Sequence, residues 1–433
     1  MRHLPIAPSV FKNNRERFIK LLPKNAVAIF HSNDQMPRNG DQYFPFRQQS
    51  DFFYLTGIDQ EKSILLLAPD CPNKNLREVL FTIETNETIA IWEGHKYSKE
   101  EAREISGIDK IQWLAGFEIA LREVLTEANE VFLNSNEYPK FTPDVKDRNF
   151  RLGEKMKADY PLHNYHRSAP LLAKLRMQKS PEEIELLQTA CNLTEKAFRR
   201  ILKTSLPDLN EFEIEATIDY TFKTGRANGH GYPPIIASGK NSCVLHYVDN
   251  NEKLKASDLL LMDFGAEYAN YSADMSRTIP VNGKFTDRQK DCYNAVLRVF
   301  KGAKKLYVPG NSIDLVNEEV NKMMEQEILK LRLITKEDVK NQDPENPAFK
   351  KYFMHGTAHF LGLDVHDVGS KHEKFKAGMV LTCEPGIYIR EENIGIRIEN
   401  DILITENEPI DLMENIPIEV EEIEKLMGKR NGD

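Results

Sequence analysis

The sequence has no C-x-x-C pair, no strictly apolar run longer than five residues and no basic excess, and each shortage removes a class of protein. Its five cysteines, Cys71, Cys191, Cys243, Cys292 and Cys383, are scattered and odd in number. That usage argues against a disulfide scaffold and a thiolate zinc site, and fits a reduced, cytoplasmic setting. The longest apolar runs, such as Ala26–Phe30 and Ile64–Ala68, fall far short of the roughly 20 residues that cross a bilayer. The stretch Met1 to Lys20 mixes prolines, asparagines and basic residues without an apolar core, so neither a signal peptide nor a membrane span is expected. Acidic residues number 67 against 58 basic, net −9, and residues 401–433 alone hold ten acids and three bases. The remaining body is close to neutral, with no electrostatic footprint for nucleic acid or an anionic membrane.

What is present is length and pattern. At 433 residues, 40% hydrophobic and 29% charged, the chain exceeds one ordinary core, and two domains are expected. From Ala26 to about Tyr165, short apolar runs (Ala26–Phe30, Ser63–Ala68, Val79–Ile83, Thr88–Trp92) read as strands. They alternate with helix-like segments such as Ser98–Ile105 and Phe117–Glu127, which together suggest an α/β unit. Near residue 170 the text changes, and Ser180-Pro-Glu-Glu supplies an N-cap, a proline at N1 and acids in the first turn of a long helix. The spacing then predicts a helix over Asn210–Gly225, strands over 232–281, helices Thr286–Leu306 and Asn311–Leu331, a polar connector 338–350 and strands through residue 405. A short acidic helix, Glu419–Met427, closes the tail, docked by Val420, Ile423, Leu426 and Met427. The expected division is an α/β amino-terminal domain over 1–170 and an α+β catalytic domain over 171–433.

The chemistry concentrates in the second half. The apolar strand ending at Asp263 is followed eleven residues later by Asp274, and a second strand ends at Glu384. Gly395–Ile404 alternates, so Arg397, Glu399 and Asp401 are expected on one strand face. Carboxylates carried into an apolar sheet are costly unless paired or metal-bound. His355, His359 and His366 fall within twelve residues, and His246 adds a fourth imidazole. Hard carboxylates with one or two imidazoles suit Mn²⁺, Co²⁺ or Zn²⁺, and two ions bridged by carboxylates would generate a hydroxide nucleophile at neutral pH. The pair His355/His359 is not a zincin motif, because Gly356 stands where the glutamate belongs. Taken singly, each histidine reads as a hydrogen-bonded surface or core residue, Asp263 or Asp274 as a turn residue, and Arg397 as half of a structural ion pair; no one of these explanations covers the set. Cys243 and Cys383 read as packing residues, Gly225, Gly229 and Gly231 as turns near a pocket, Trp92 as core. The aromatic run Phe44–Tyr54, which contains the polar Arg47–Asp51, reads as core with an interface or substrate-side role beside it.

The segments Gly239–Tyr247, Met262–Tyr268, Ser272–Thr278, Val281–Phe285, His355–Asp367, Glu384–Tyr388 and Ile396–Glu399 resemble, in order, the signatures of the pita-bread (creatinase/aminopeptidase) metallopeptidases. Within that family the resemblance is to the Xaa-Pro aminopeptidases, and Arg38–Gly57 is similar to their amino-terminal domain. The resemblance implies Asp263, Asp274, His359, Glu384 and Glu399 as ligands of a dinuclear centre, usually manganese, with Asp274 and Glu399 bridging. It implies His246, His355 and His366 lining the substrate pocket and Arg397 beside Glu399. The implied reaction is release of the residue before proline by a hydroxide bridging two ions, with Glu384 passing a proton to the leaving nitrogen. Prolidase, restricted to Xaa-Pro dipeptides, shares every ligand and is the nearest rival. Methionine aminopeptidase typically lacks such an amino-terminal domain, creatinase lacks the metal set, and a non-catalytic binding module would have lost ligands. The family's habit and the aromatic amino-terminal patch favour a homo-oligomer, a dimer or tetramer.

Overall fold

Ala26–His31 and Ile64–Leu67 are buried at every position, the pattern of strands covered on both faces. In the computed structural model, which describes residues 3–141, 144–204 and 207–428, they lie at the centre of a six-stranded mixed sheet. Ala26–His31 pairs antiparallel with Ile64–Leu67 and parallel with Glu130–Leu133. Glu78–Thr82 and Ile111–Trp113 extend one side, and Asn164–Arg167 the other. Val27, Ile29, Leu66, Val79, Phe81, Leu121 and Val131 make the core of one sheet face with Phe117 and Met156. This sheet and its helices form one compact unit, His3–Arg176, and the second unit begins at Met177.

Thr88–Trp92 is not a strand. The Asn86 side chain accepts the Ile89 N–H and Gly94, at φ 76°, closes a helix over Glu87–Glu93. Ile91 and Trp92 are 79% and 85% exposed, so the apolar run marks no core element. The aromatic run divides as well: Phe52, Phe53 and Tyr54 are fully buried while Tyr43 and Phe44 are each 53% exposed.

In the second unit, Ser180 and Glu183 exchange hydrogen bonds at the start of a 24-residue helix, Pro181–Thr204. Leu187, Ala190, Cys191, Thr194, Phe198 and Ile201 form its buried stripe. Helices Glu211–Thr224, Asp287–Lys304 and Ile313–Lys330 begin at Asn210, Thr286 and Ser312. Three antiparallel strands, Ile235–Ser238, Leu259–Asp263 and Ser276–Pro280, lie in that order, with Asp263 opposite Ser276. Between the last two, Ala266–Tyr268 and Tyr271–Ser272 form a hairpin whose turn residues Ala269 and Asn270 both have positive φ. The long helix grips this hairpin twice, through Thr194 Oγ1, which accepts the Ala266 N–H, and Glu183, which accepts the Tyr271 hydroxyl.

The expected continuous strand Gly395–Ile404 is broken. Ile394–Arg397 pairs with Gly386–Ile389, whereas Asn400–Leu403 pairs with Val380–Cys383 in another sheet. At the break the Ile398 and Glu399 N–H groups donate to Pro385 and Ser276 carbonyls, so the chain crosses between sheets without losing backbone bonds. Arg397, Glu399 and Asp401 therefore do not share a strand face; they converge from two sheets. The connector 338–350 is also not wholly irregular, since a short helix, Lys336–Asn341, enters it. Val420, Ile423 and Met427 dock the last helix, Val420–Gly428, with Leu426 only half-buried. The remainder of the acidic tail, 429–433, lies outside the described residues, as do Met1 and Arg2 at the other end.

Candidate metal centre

Four pieces of chain deliver the acids. Asp263 ends its strand, and Asp274 precedes the partner strand with its N–H held 3.1 Å from Asp401 Oδ2. Their close approach depends on Gly265, where a Cβ would stand 1.6 Å from the Ala273 carbonyl oxygen. Glu384 follows the strand Val380–Cys383, its N–H bonded to the Thr357 carbonyl. Glu399 occupies the crossing between sheets and accepts the Ser276 hydroxyl at 2.7 Å. His359 is brought to them by a loop that pairs with the same strand: its N–H donates to Thr382 Oγ1 and its carbonyl accepts the Thr382 N–H.

One side-chain donor atom from each of Asp274, His359 and Glu399 lies within 4.8 Å of the others. His359 Nε2 is 3.4 Å from Asp274 and 3.8 Å from Glu384. Nδ1 faces the Phe360 carbonyl at 3.1 Å, an acceptor only, so Nδ1 carries the hydrogen and Nε2 points to the acids. The Tyr232 hydroxyl is 2.5 Å from both Asp263 and Asp274. Arg397 donates to Asp263 at 2.6 Å, to Ser276 at 2.7 Å and to Tyr388 at 2.9 Å, and lies 4.0 Å from Glu399.

Burial, then mutual repulsion, governs the charges. Desolvation and neighbouring acids push Glu399 well above the usual carboxylate range. Desolvation and Asp274 raise Asp263 despite Arg397, and burial with nearby acids raises Glu384 to about 7. Burial alone would lower His359, but the bond to Asp274 and the charges of Glu384 and Asp274 outweigh it and raise the imidazole to about 9. Four carboxylates thus face one guanidinium, and in the protein alone the site retains protons where a cation would sit. Oxygen donors with one imidazole suit a divalent ion of the Mn²⁺, Co²⁺ or Zn²⁺ type.

The flanking histidines are placed less uniformly. His355 directs Nδ1 at the Gly356 carbonyl, 2.7 Å, and Nε2 at the Tyr388 hydroxyl, 2.8 Å, making a chain Arg397–Tyr388–His355. Burial and the Arg397 charge lower its pKa to about 4, so it is neutral at pH 7. His366 is exposed and sets its ring edge-to-face on His359, centroids 4.4 Å apart. His246 is exposed in the turn after Gly239–Cys243. The sequence reading missed Tyr232, Tyr388 and Ser276, and it placed Asp401 only on a strand face. Tyr388 stands on a strand four residues after Glu384, a usable signal; nothing local marks Tyr232.

Residues 185–406 match metallopeptidase family M24, and residues 11–132 match the aminopeptidase P N-terminal domain. The sequence is 34% identical to the Xaa-Pro aminopeptidase of Escherichia coli (strain K12) over 98% of both chains. It is 34% identical to that of Haemophilus influenzae over 96% of this chain and 97% of the other. Zinc-substituted E. coli aminopeptidase P in complex with product superposes with a TM-score of 0.88 at 33% identity, covering 99% of this chain and 100% of that one.

Proposed function

The chain belongs to metallopeptidase family M24, and we propose that its reaction is release of the amino-terminal residue from peptides with proline at position two. The observation that supports this reading is the cluster of Asp263, Asp274, His359, Glu384 and Glu399, brought together with a side-chain donor atom from each of Asp274, His359 and Glu399 within 4.8 Å of the others, and with burial raising Asp263, Glu384 and Glu399. These five would hold two ions, Mn²⁺ first in preference and Co²⁺ or Zn²⁺ as substitutes. Bound there, the ions would supply a hydroxide nucleophile and an electrophile for the peptide carbonyl.

The chain's own groups divide the remaining work. Arg397 neutralises Asp263 and ties it to Ser276, which in turn holds Glu399, so an acid at a strand end and one at the crossing between sheets keep one spacing. Glu384 Oε2 lies 3.8 Å from His355 Nδ1 at the less buried edge of the cluster, which suits it to pass a proton to the departing proline nitrogen. Because both His355 nitrogens are engaged, His355 orients Tyr388 and Arg397, and stabilising the oxyanion falls to His246 and His366. A bond before proline is a tertiary amide without an N–H, so a pocket shaped for the ring converts that missing donor into specificity. The reading includes a cytoplasmic, homo-oligomeric enzyme.

The test is hydrolysis of Xaa-Pro-Xaa tripeptides beside Xaa-Pro dipeptides, after chelation and after adding back each metal. Metal-dependent release of the first residue from tripeptides is expected. Cleavage of dipeptides alone would replace this reading with prolidase, and silence with every metal would remove the enzyme.

A further inference from the structure

Beside the histidines lies a concavity of about 360 Å³, lined by Lys240, Cys243, Val244, Leu245, Met354, Arg390 and Asn393. Its size is at the small end of ligand pockets, which run from about 300 to 1,000 Å³. Two of its walls continue directly into the site: Leu245 precedes His246 and Met354 precedes His355. Its floor is shared as well, because Cys243 and Leu245 pack in one cluster with Tyr388, whose hydroxyl meets His355 Nε2. The turn Gly239–Cys243 is pressed onto the strand of Arg397 so closely that a Cβ on Gly395 would stand 2.0 Å from the Ser242 carbonyl oxygen.

The lining chemistry is uneven. Val244 is 52% and Met354 37% exposed, two apolar side chains turned to solvent. Lys240 and Arg390 are both exposed, and among the described residues neither has a carboxylate within 4.0 Å in an ion pair, although the chain carries nine more acids than bases. The adjacent Glu391 forms its ion pair with Lys351 and feels the Arg390 charge only at longer range. Burial raises the pKa of Cys243, leaving it a neutral thiol that contributes shape and no charge. Two exposed cations around an apolar mouth, adjoining the residues that flank His246 and His355, suit a carboxylate attached to an apolar residue.

Building on the proposed peptidase reaction, we propose that this pocket is the subsite for substrate residues beyond proline, and that Lys240 and Arg390 there bind a carboxylate. Two sources share that chemistry: the C-terminus of a short peptide and an acidic side chain in a longer one.

The experiment compares Ala-Pro-Ala, Ala-Pro-Ala-amide and Ala-Pro-Glu-amide on the Mn²⁺-loaded full-length protein. Equilibrium binding of Pro-Leu and Pro-Leu-amide is measured by calorimetry alongside, since it needs no turnover. The free acid should exceed its amide about tenfold in kcat/KM, through KM, as expected for two partly solvated charge pairs. If acidic side chains are also accepted, the glutamyl amide regains part of that difference; if only C-termini are, it behaves as the plain amide. Lys240→Met with Arg390→Met should bring the acid-to-amide ratio to one, and Lys240→Glu should reverse it. A ratio near one in the native protein, or one that survives these substitutions, overturns the subsite while leaving the peptidase reading intact. Absent hydrolysis with a persisting, Lys240-dependent preference for Pro-Leu over its amide would do the opposite.

Discussion

At Tyr232 a single hydroxyl stands 2.5 Å from two carboxylates, and that one proton sets their spacing in the protein alone. Tyr232→Phe removes it and leaves Asp263 and Asp274 to repel each other across the gap. Loss of such an outer partner should lower metal affinity about 10- to 100-fold, read by titrating ions back into the chelated protein. An unchanged affinity would make Tyr232 a packing residue. His359 gives a second expectation with a definite sign. Its pKa in the folded protein, about 9, is raised above the ordinary 6.5. The stability it contributes is therefore complete below pH 6.5 and lost as pH rises through 9. Glu384, raised from 4.5 to about 7, behaves likewise in its own lower window. Ion binding must expel these protons, so calorimetry in buffers of different ionisation enthalpy should show proton release near pH 8 that includes the His359 proton, declining above pH 9. A release independent of pH would mean that the ions bind elsewhere.

Elements hold these residues in place, and two features of the second unit carry much of that burden. Gly265→Ala would drive a methyl into the Ala273 carbonyl, parting the Asp263 and Asp274 strands, and should cost about 3 kcal/mol or more in chemical denaturation. At the start of the long helix, Lys179 and Asp367 form an ion pair whose side chains are each 1% exposed, 3.1 Å apart, against the loop that carries His359 and His366. Lys179→Met removes the cation facing a buried carboxylate and should destabilise by about 3–5 kcal/mol, whereas adding Asp367→Asn should recover part of the loss. If the double variant is as unstable as the sum of the singles, the pair is not the reason. The same elements show what the sequence made legible. Ser180, Asn210 and Thr286 announce their helices because a cap is a local bond between residues three apart. Thr88–Trp92 misled, since a four-residue apolar run has no period of its own and Asn86 and Gly94 decided its state. The break at Ile398–Glu399 was invisible because Ser276 and Pro385, far away in sequence, accept its bonds. In the site, the acids and His359 stood out by type and spacing, while Tyr232 acts only through neighbours 31 and 42 residues away.

At the scale of the molecule, the five buried free cysteines and the absence among the described residues of a helix long and apolar enough to cross a membrane leave self-association as the open physical question. The aromatic stretch read from sequence as an interface has separated into two parts: Phe52–Tyr54 fill the amino-terminal unit's interior, and Tyr43 and Phe44 stand out on the hairpin of Pro37–Asn39 and Gln42–Tyr43. A hairpin of two- and three-residue strands has little stability of its own in water, and half-exposed aromatic rings on it gain most by being covered. Met36, 46% exposed, and Arg38, 6.0 Å over the Phe44 ring, extend the patch with the residue types that interfaces favour. Static light scattering should therefore give the mass of at least two chains, and Tyr43→Ser with Phe44→Ser should move it toward one while leaving the thermal transition of the amino-terminal unit in place, because neither ring belongs to the buried core. A single-chain mass for the native protein at micromolar concentration would refute the oligomer, and an unchanged mass in the double variant would move the interface away from this hairpin, with the exposed Ile91 and Trp92 the next surface to substitute.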